Sequence, residues 1–123
     1  MALLHYIRSY LITAVLLFGV ASVLAETLQV VKSNPASGAV VDATSNEYEI
    51  LFNCEIDTRH STLSITRDGQ VVETLYPRLD AAPGVLFARG PRLQPGSYKL
   101  HWTVKSLKGT DVAEGDVPFA VKS

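Results

Sequence analysis

The sequence is poor in sulfur. Its 123 residues include one cysteine, Cys54, and one methionine, Met1. A single cysteine excludes an internal disulfide framework and every structural zinc site built on paired cysteines. A lone cysteine in a small domain usually packs inside as a small hydrophobe, and we expect this of Cys54.

Histidine is also scarce, since the chain has only three. No GxSxG elbow, HExxH helix or phosphate-binding glycine loop is present. Asp57, His60 and Ser61 supply the residue types of a catalytic triad, but sequence neighbours rarely adopt that geometry. His101 alternates outward on a predicted strand, where an exposed surface histidine is expected. The chain is therefore not expected to be an enzyme.

Neither sign of charge dominates the chain. Eleven Lys and Arg residues face twelve Asp and Glu residues, which gives a formal net charge of −1. Nucleic-acid binding needs clustered basic residues, so this balance argues against a nucleic-acid partner. A charged fraction of 19 % beside 47 % hydrophobic residues also excludes intrinsic disorder.

Residues 1–25 have the three parts of a secretory signal. Arg8 is the only charged residue in them, residues 11–20 are almost wholly apolar, and small or apolar residues end the segment at Ala25. The alternative is an uncleaved membrane anchor, but the apolar run is shorter than the roughly 20 residues of a comfortable span. We predict cleavage after Ala25, a mature chain that starts at Glu26 without a membrane span, and a periplasmic location.

Residues 26–123 alternate with a period of two, which is typical of strands rather than helices. In residues 97–105, for example, Tyr98, Leu100, Trp102 and Val104 fall on one face. We predict about seven short strands, at 28–31, 46–53, 62–66, 71–76, 84–88, 97–105 and 117–121.

Turn residues separate these strands. Asp68-Gly69 predicts a hairpin, because both central residues of a type I′ turn need positive φ. Proline and glycine mark loops at 33–38, 80–84 and 90–96. With no linker or repeat, residues 26–123 form one domain. We expect an all-β, Ig-like antiparallel β-sandwich with Greek-key connections.

Three segments resemble the copper-resistance protein C (CopC) family of bacterial periplasmic proteins. They are LQVVKSNPASGAVV (28–41), ILFNCEIDTRHSTLSITRDGQVV (50–72) and LQPGSYKLHWTVKSLKGTDVAEGDVPFAV (93–121). The PGxYxxxW element and the closing GxxxF are the most specific parts, and both are structural. The resemblance implies the same sandwich and a role in periplasmic copper binding, carriage or resistance.

The residues that bind copper in this family are replaced in this chain. Family members bind Cu(II) with a histidine at the mature N-terminus and with an Asp and a His in a D-G-H segment. The matching positions hold Thr27, Lys108 and Thr110. The family's methionine-rich Cu(I) loop is absent too. The resemblance thus implies a copper-family scaffold with a degenerate metal site.

Two readings of that degenerate site remain open. In one, Cys54 rebuilds a soft Cu(I) site with help from His60 or Asp111, and Glu26 adds a free amine and a carboxylate. In the other, the metal has been lost and Cys54 only packs. The protein would then be a non-metal interaction module, for example one that binds a partner by strand addition. The expected partners are a copper ion or a periplasmic or membrane copper-handling protein, such as a copper importer.

Overall fold

The computed structural model describes residues 28–123. The predicted signal peptide, Glu26 and Thr27 lie outside these residues. The described part contains eight strands and one 3₁₀ turn, Thr58–His60. The strands are β1 (Val30–Asn34), β2 (Ala39–Val41), β3 (Glu47–Phe52), β4 (Thr62–Arg67), β5 (Gln70–Leu75), β6 (Val85–Arg89), β7 (Gly96–Lys105) and β8 (Val112–Val121).

The strands form two sheets, with orders β1-β3-β6 and β2-β8-β7-β4-β5. This confirms the predicted all-β sandwich. All pairings between the named strands are antiparallel except that of β2 with β8, which is parallel. The Asp68-Gly69 turn has positive φ at both residues, 53° and 79°, as the hairpin prediction required.

The core lies between the sheets and follows the predicted alternation. Tyr48, Ile50 and Phe52 of β3 are buried, and so are all four of the residues predicted to face inward on β7. Phe52 meets the ring of Trp102 edge-on, with ring centroids 5.1 Å apart. Removing this apolar surface from water is the main force holding the sheets together.

The first strand differs from its predicted bounds. It was expected at 28–31, but it begins at Val30 and runs to Asn34. Ser33 and Asn34, predicted to be in a loop, therefore belong to β1. The residue before a proline is driven to an extended conformation, and a strand satisfies this preference as well as a loop does.

The other two differences lie in the second sheet. β2 was not predicted, because three residues are too few to show alternation. β8 starts at Val112 rather than at residue 117. Its inward positions there are Ala113 and Gly115, whose side chains are too small to give a hydrophobic signal. Within residues 28–123, no helix is long and apolar enough to cross a membrane.

Candidate functional site

Three segments meet at one end of the sandwich, and we call them the loop cluster: residues 28–29, 53–61 and 106–111. Asn53 N–H donates to the Gln29 carbonyl at 3.0 Å, which ties the start of the described chain to the segment after β3. On the other side, Leu107 N–H donates to the Glu55 carbonyl at 3.0 Å. The segment after β3 thus contacts both the first described residues and the β7–β8 loop. The start of the described chain therefore lies near that loop, as the family resemblance implied.

Asp57 and His60 form a closely spaced pair of polar side chains in the loop cluster. The 3₁₀ turn places the imidazole Nδ1 of His60 2.7 Å from Oδ2 of Asp57, so this nitrogen donates to the carboxylate. This hydrogen bond holds the pKa of Asp57 below its ordinary value of 3.8, and the positive charges of His60 and Lys105 act in the same direction. Lys105 Nζ lies 3.9 Å from the same oxygen.

Ser61 does not complete a catalytic triad. Its hydroxyl donates to the backbone carbonyl of Asp57 at 2.7 Å and accepts from Lys105 N–H at 3.2 Å. The side chain is buried, and its hydrogen bonds are to backbone rather than to the His60 ring. Ser61 therefore fixes the turn against β7.

Cys54 is exposed, which corrects the prediction that it packs inside. The strand ends at Phe52, and the chain bends at residues 53 and 54, so alternation no longer controls where the next side chains point. Cys54 lines a pocket of about 200 Å³ with Glu55, Ser106 and Lys108. The structure thus places the thiol beside Lys108 of the β7–β8 loop.

The β7–β8 loop is held by its own backbone. Ser106 N–H donates to the Asp111 carbonyl at 2.9 Å, and the Ser106 hydroxyl donates to the Lys108 carbonyl at 3.3 Å. Lys108, Thr110 and Asp111 are all exposed. The loop is therefore closed by hydrogen bonds that do not involve the side chains of Lys108, Thr110 or Asp111.

The predicted metal-site residues do not form a ligand set in the described residues. Cys54, His60 and Asp111 all belong to the loop cluster. However, no group of three or more His, Cys, Asp or Glu side chains in residues 28–123 could hold a metal ion. Glu26 lies outside the described residues, so its contribution stays a prediction.

His101 lies on the outer face of the second sheet, away from the loop cluster and as predicted. Its Nδ1 is 2.8 Å from Oδ1 of Asp116, and its Nε2 is 3.6 Å from Oε2 of Glu114. Sequence reasoning did not connect His101 to these acidic residues or Lys105 to Asp57. The spacing of three residues between Asp57 and His60 is a sequence signal that could have suggested their contact. The other pairs join residues far apart in the sequence, so they depend on how the strands and loops pack.

Two layers of paired strands, with an exposed polar loop cluster at one end, make the described part of the chain a small β-sandwich domain. The CopC domain model matches residues 30–122, so the chain belongs to the CopC domain family.

Two solved structures are similar to this chain. CopC from Methylosinus trichosporium OB3b is 26 % identical, with 77 % of this chain and 93 % of that chain covered and a TM-score of 0.68. PcoC, a methionine-rich copper resistance protein from Escherichia coli, is 19 % identical. Here 79 % of this chain and 100 % of that chain are covered, and the TM-score is 0.62, a likeness that shows the fold. No curated protein matches the chain in sequence.

Proposed function

We propose that this protein is an exported, non-catalytic copper carrier or accessory of the periplasm whose usual Cu(II) site is degenerate. Support for the copper role comes from membership of the CopC domain family over residues 30–122. The relative from Methylosinus is named CopC, and the one from Escherichia coli is named a copper resistance protein.

The single observation that carries the degenerate site is the position of Lys108. It stands at the family's carboxylate position and lines the pocket beside Cys54. Cu(II) prefers nitrogen and oxygen donors in a tetragonal arrangement. A protonated amine has no lone pair to donate, and the hydroxyl of Thr110 is a poor substitute for an imidazole. The donors present here therefore do not fit the usual Cu(II) site.

Cys54 offers a different chemistry at the same end. Thiolate is a soft ligand that selects Cu(I) over Cu(II), and this thiol is exposed. His60 is the nearest imidazole along the chain and is itself 70 % exposed, although Asp57 occupies its Nδ1. A Cu(I) ion would therefore be cargo bound by Cys54 with at most a few weak additional ligands.

Copper titration of the exported protein tests the proposal. The full 123-residue chain is expressed without a tag and purified from the periplasmic fraction, and its intact mass reports whether cleavage occurs after Ala25. Cu(II) is titrated directly, and Cu(I) is titrated against a chromophoric chelator. Cys54→Ser is compared with Thr74→Ser, a matched polar substitution on the exposed side of β5.

We expect no tight Cu(II) binding in any form. Cu(I) affinity should fall by about tenfold or more in Cys54→Ser and stay unchanged in Thr74→Ser. Submicromolar binding of one Cu(II) would contradict the degenerate site. Absence of binding of either ion in every form would contradict the carrier role and favour an interaction module. A precursor that remains uncleaved in the membrane fraction would contradict the location.

A further inference from the structure

Among residues 28–123, half of β8 is a sheet edge without a second neighbouring strand. β8 pairs with β7 over all ten of its residues without an irregularity. On its other side, β2 pairs only with Phe119–Val121, and the last contact is Gly38 N–H to the Pro118 carbonyl at 2.7 Å. Within residues 28–123, no loop backbone group bonds to residues 112–117. These six residues, here called the β8 edge, are regular strand on one side and open on the other.

Pro118 reveals which backbone groups point to the β8 edge. Its carbonyl accepts from Gly38 on the side away from β7. Backbone groups of alternate residues in a strand point the same way. The N–H and C=O groups of Val112, Glu114 and Asp116 therefore point away from β7. The β8 edge thus presents three donor and acceptor pairs with the spacing that an added strand needs.

The other sheet edges carry features that block strand addition. β1 is irregular between Val30 and Lys32, and β5 also has an irregular ladder with its neighbour. β6 is covered by a loop, because Arg78 N–H donates to the Phe87 carbonyl at 2.8 Å. β2 has only three residues. Bulges, covering loops, short strands and charged side chains are recognised ways to protect an edge, and among residues 28–123 only charged side chains are found at the β8 edge.

The charges on the β8 edge select its occupant. Glu114 and Asp116 project on the outer face, with side chains 70 % and 45 % exposed. Antiparallel pairing with a second copy through all three of these residues would set Glu114 opposite Glu114 of that copy, and like charges directly opposite are destabilising. On β7, the outer face carries Lys99, His101, Thr103 and Lys105, and His101 meets both carboxylates from that side. Basic side chains of an added strand would meet the same carboxylates from the open side.

We infer that the β8 edge binds an extended segment of a partner protein with Lys or Arg at alternate positions. The added strand would pair its backbone with Val112, Glu114 and Asp116 and place its basic side chains beside the two carboxylates. Its intervening side chains would face inward and extend the core beyond Ala113, which is already partly buried at the rim. This interaction is independent of copper.

Hydrogen exchange of single amides tests the inference with two synthetic peptides. One peptide alternates Lys and Val, and the matched peptide alternates Glu and Val. In the free protein, the Glu114 and Asp116 amides should exchange faster than those of Ala113 and Val117, which point to β7. At a Lys-Val concentration about ten times its Kd, exchange at Glu114 and Asp116 should slow by about tenfold. The Glu-Val peptide should have no effect.

Charge reversal provides the second arm. In the variant Glu114→Lys with Asp116→Lys, the preference should switch to the Glu-Val peptide. Slow hydrogen exchange of the Ala113 and Val117 amides, which point to β7, reports whether that variant is folded. The pair Glu47→Lys with Glu49→Lys is the matched control, since these are two exposed carboxylates at alternate positions of β3 in the other sheet and the charge change is the same; it should keep the preference for Lys-Val.

Three results would overturn the inference. They are equal protection of the four amides in the free protein, protection by Lys-Val at β5 instead, and protection of Glu114 that grows with protein concentration in the absence of peptide. The last result would indicate self-pairing. If the charge-reversed variant fails to fold, the comparison of the two peptides with the wild-type protein still tests the inference.

Discussion

Gly115 of β8 lies directly against the indole of Trp102 on β7. A Cβ at Gly115 would stand 2.6 Å from Cζ2 and 3.0 Å from Cε2 of the ring. The ring cannot retreat freely, because Phe52 packs edge-on against it. Trp102 Nε1 is buried, with no hydrogen-bond partner in the described part of the chain. The indole is thus kept for its volume, and only glycine leaves room for it.

Gly115→Ala should therefore destabilise the fold. Overpacking of this kind costs about 1–3 kcal/mol, which exceeds the gain from restricting a glycine. Urea unfolding followed by far-UV circular dichroism measures the change. The cost should shrink when the same substitution is made with Trp102→Phe, because the smaller ring removes the clashing atoms. An equal cost in both backgrounds would show that the indole is not the cause.

Tyr98→Phe should lower the free energy of unfolding by about 1 kcal/mol. The Tyr98 hydroxyl donates to the Gln94 carbonyl at 2.6 Å, and Arg67 lies over its ring at 5.2 Å from the centroid. The substitution removes this donor and also the acceptor of the hydrogen bond that Arg67 Nη1 donates to the hydroxyl at 3.4 Å. Tyr76→Phe is the matched control, since Tyr76 is 80 % exposed, and it should change nothing measurable. Equal effects of the two substitutions would contradict this role of the hydroxyl.

His60→Ala should weaken the fold in a pH-dependent way. The folded pKa of Asp57 lies below 3.8, so its ionised form stabilises the protein above that value. This stabilisation is lost as the pH falls from about 3.8 through the folded pKa. The difference in the free energy of unfolding between wild type and His60→Ala should thus be larger near pH 6 than near pH 3. Urea unfolding at each pH measures it. Arg59→Ala, at an exposed neighbouring position, should show no such change.

Lys108→Asp combined with Thr110→His should raise Cu(II) affinity by about tenfold or more, because it restores a carboxylate and an imidazole at the loop positions. Direct Cu(II) titration measures the gain. The pair Lys108→Ala with Thr110→Ala removes the same side chains without adding donors and should give none. Equal affinities of the two double variants would contradict the assignment of these residues to the ligand positions.

The family resemblance and the buried faces of the strands could be predicted from the sequence alone. Alternation on β3 and β7 correctly marked which side chains face the core, because successive side chains of an extended backbone point to opposite faces whatever the partner. The burial expected of Cys54 was wrong. That expectation rested on the usual behaviour of a lone cysteine, whereas the chain bends at residues 53 and 54, directly after β3, and leaves the thiol exposed.

The sequence by itself therefore determined an all-β domain of the CopC type, since this follows from residue identity and local periodicity. It also predicts that the family's copper ligands are replaced. Only the tertiary structure decided that β2 pairs with β8 from Phe119 onward, which leaves residues 112–117 of β8 without a second neighbouring strand among residues 28–123. It also decided that His101 meets Asp116 and that Cys54 lines a pocket with Lys108. These relations join residues far apart in the chain, and the backbone hydrogen bonds that set them carry no signature in the side chains.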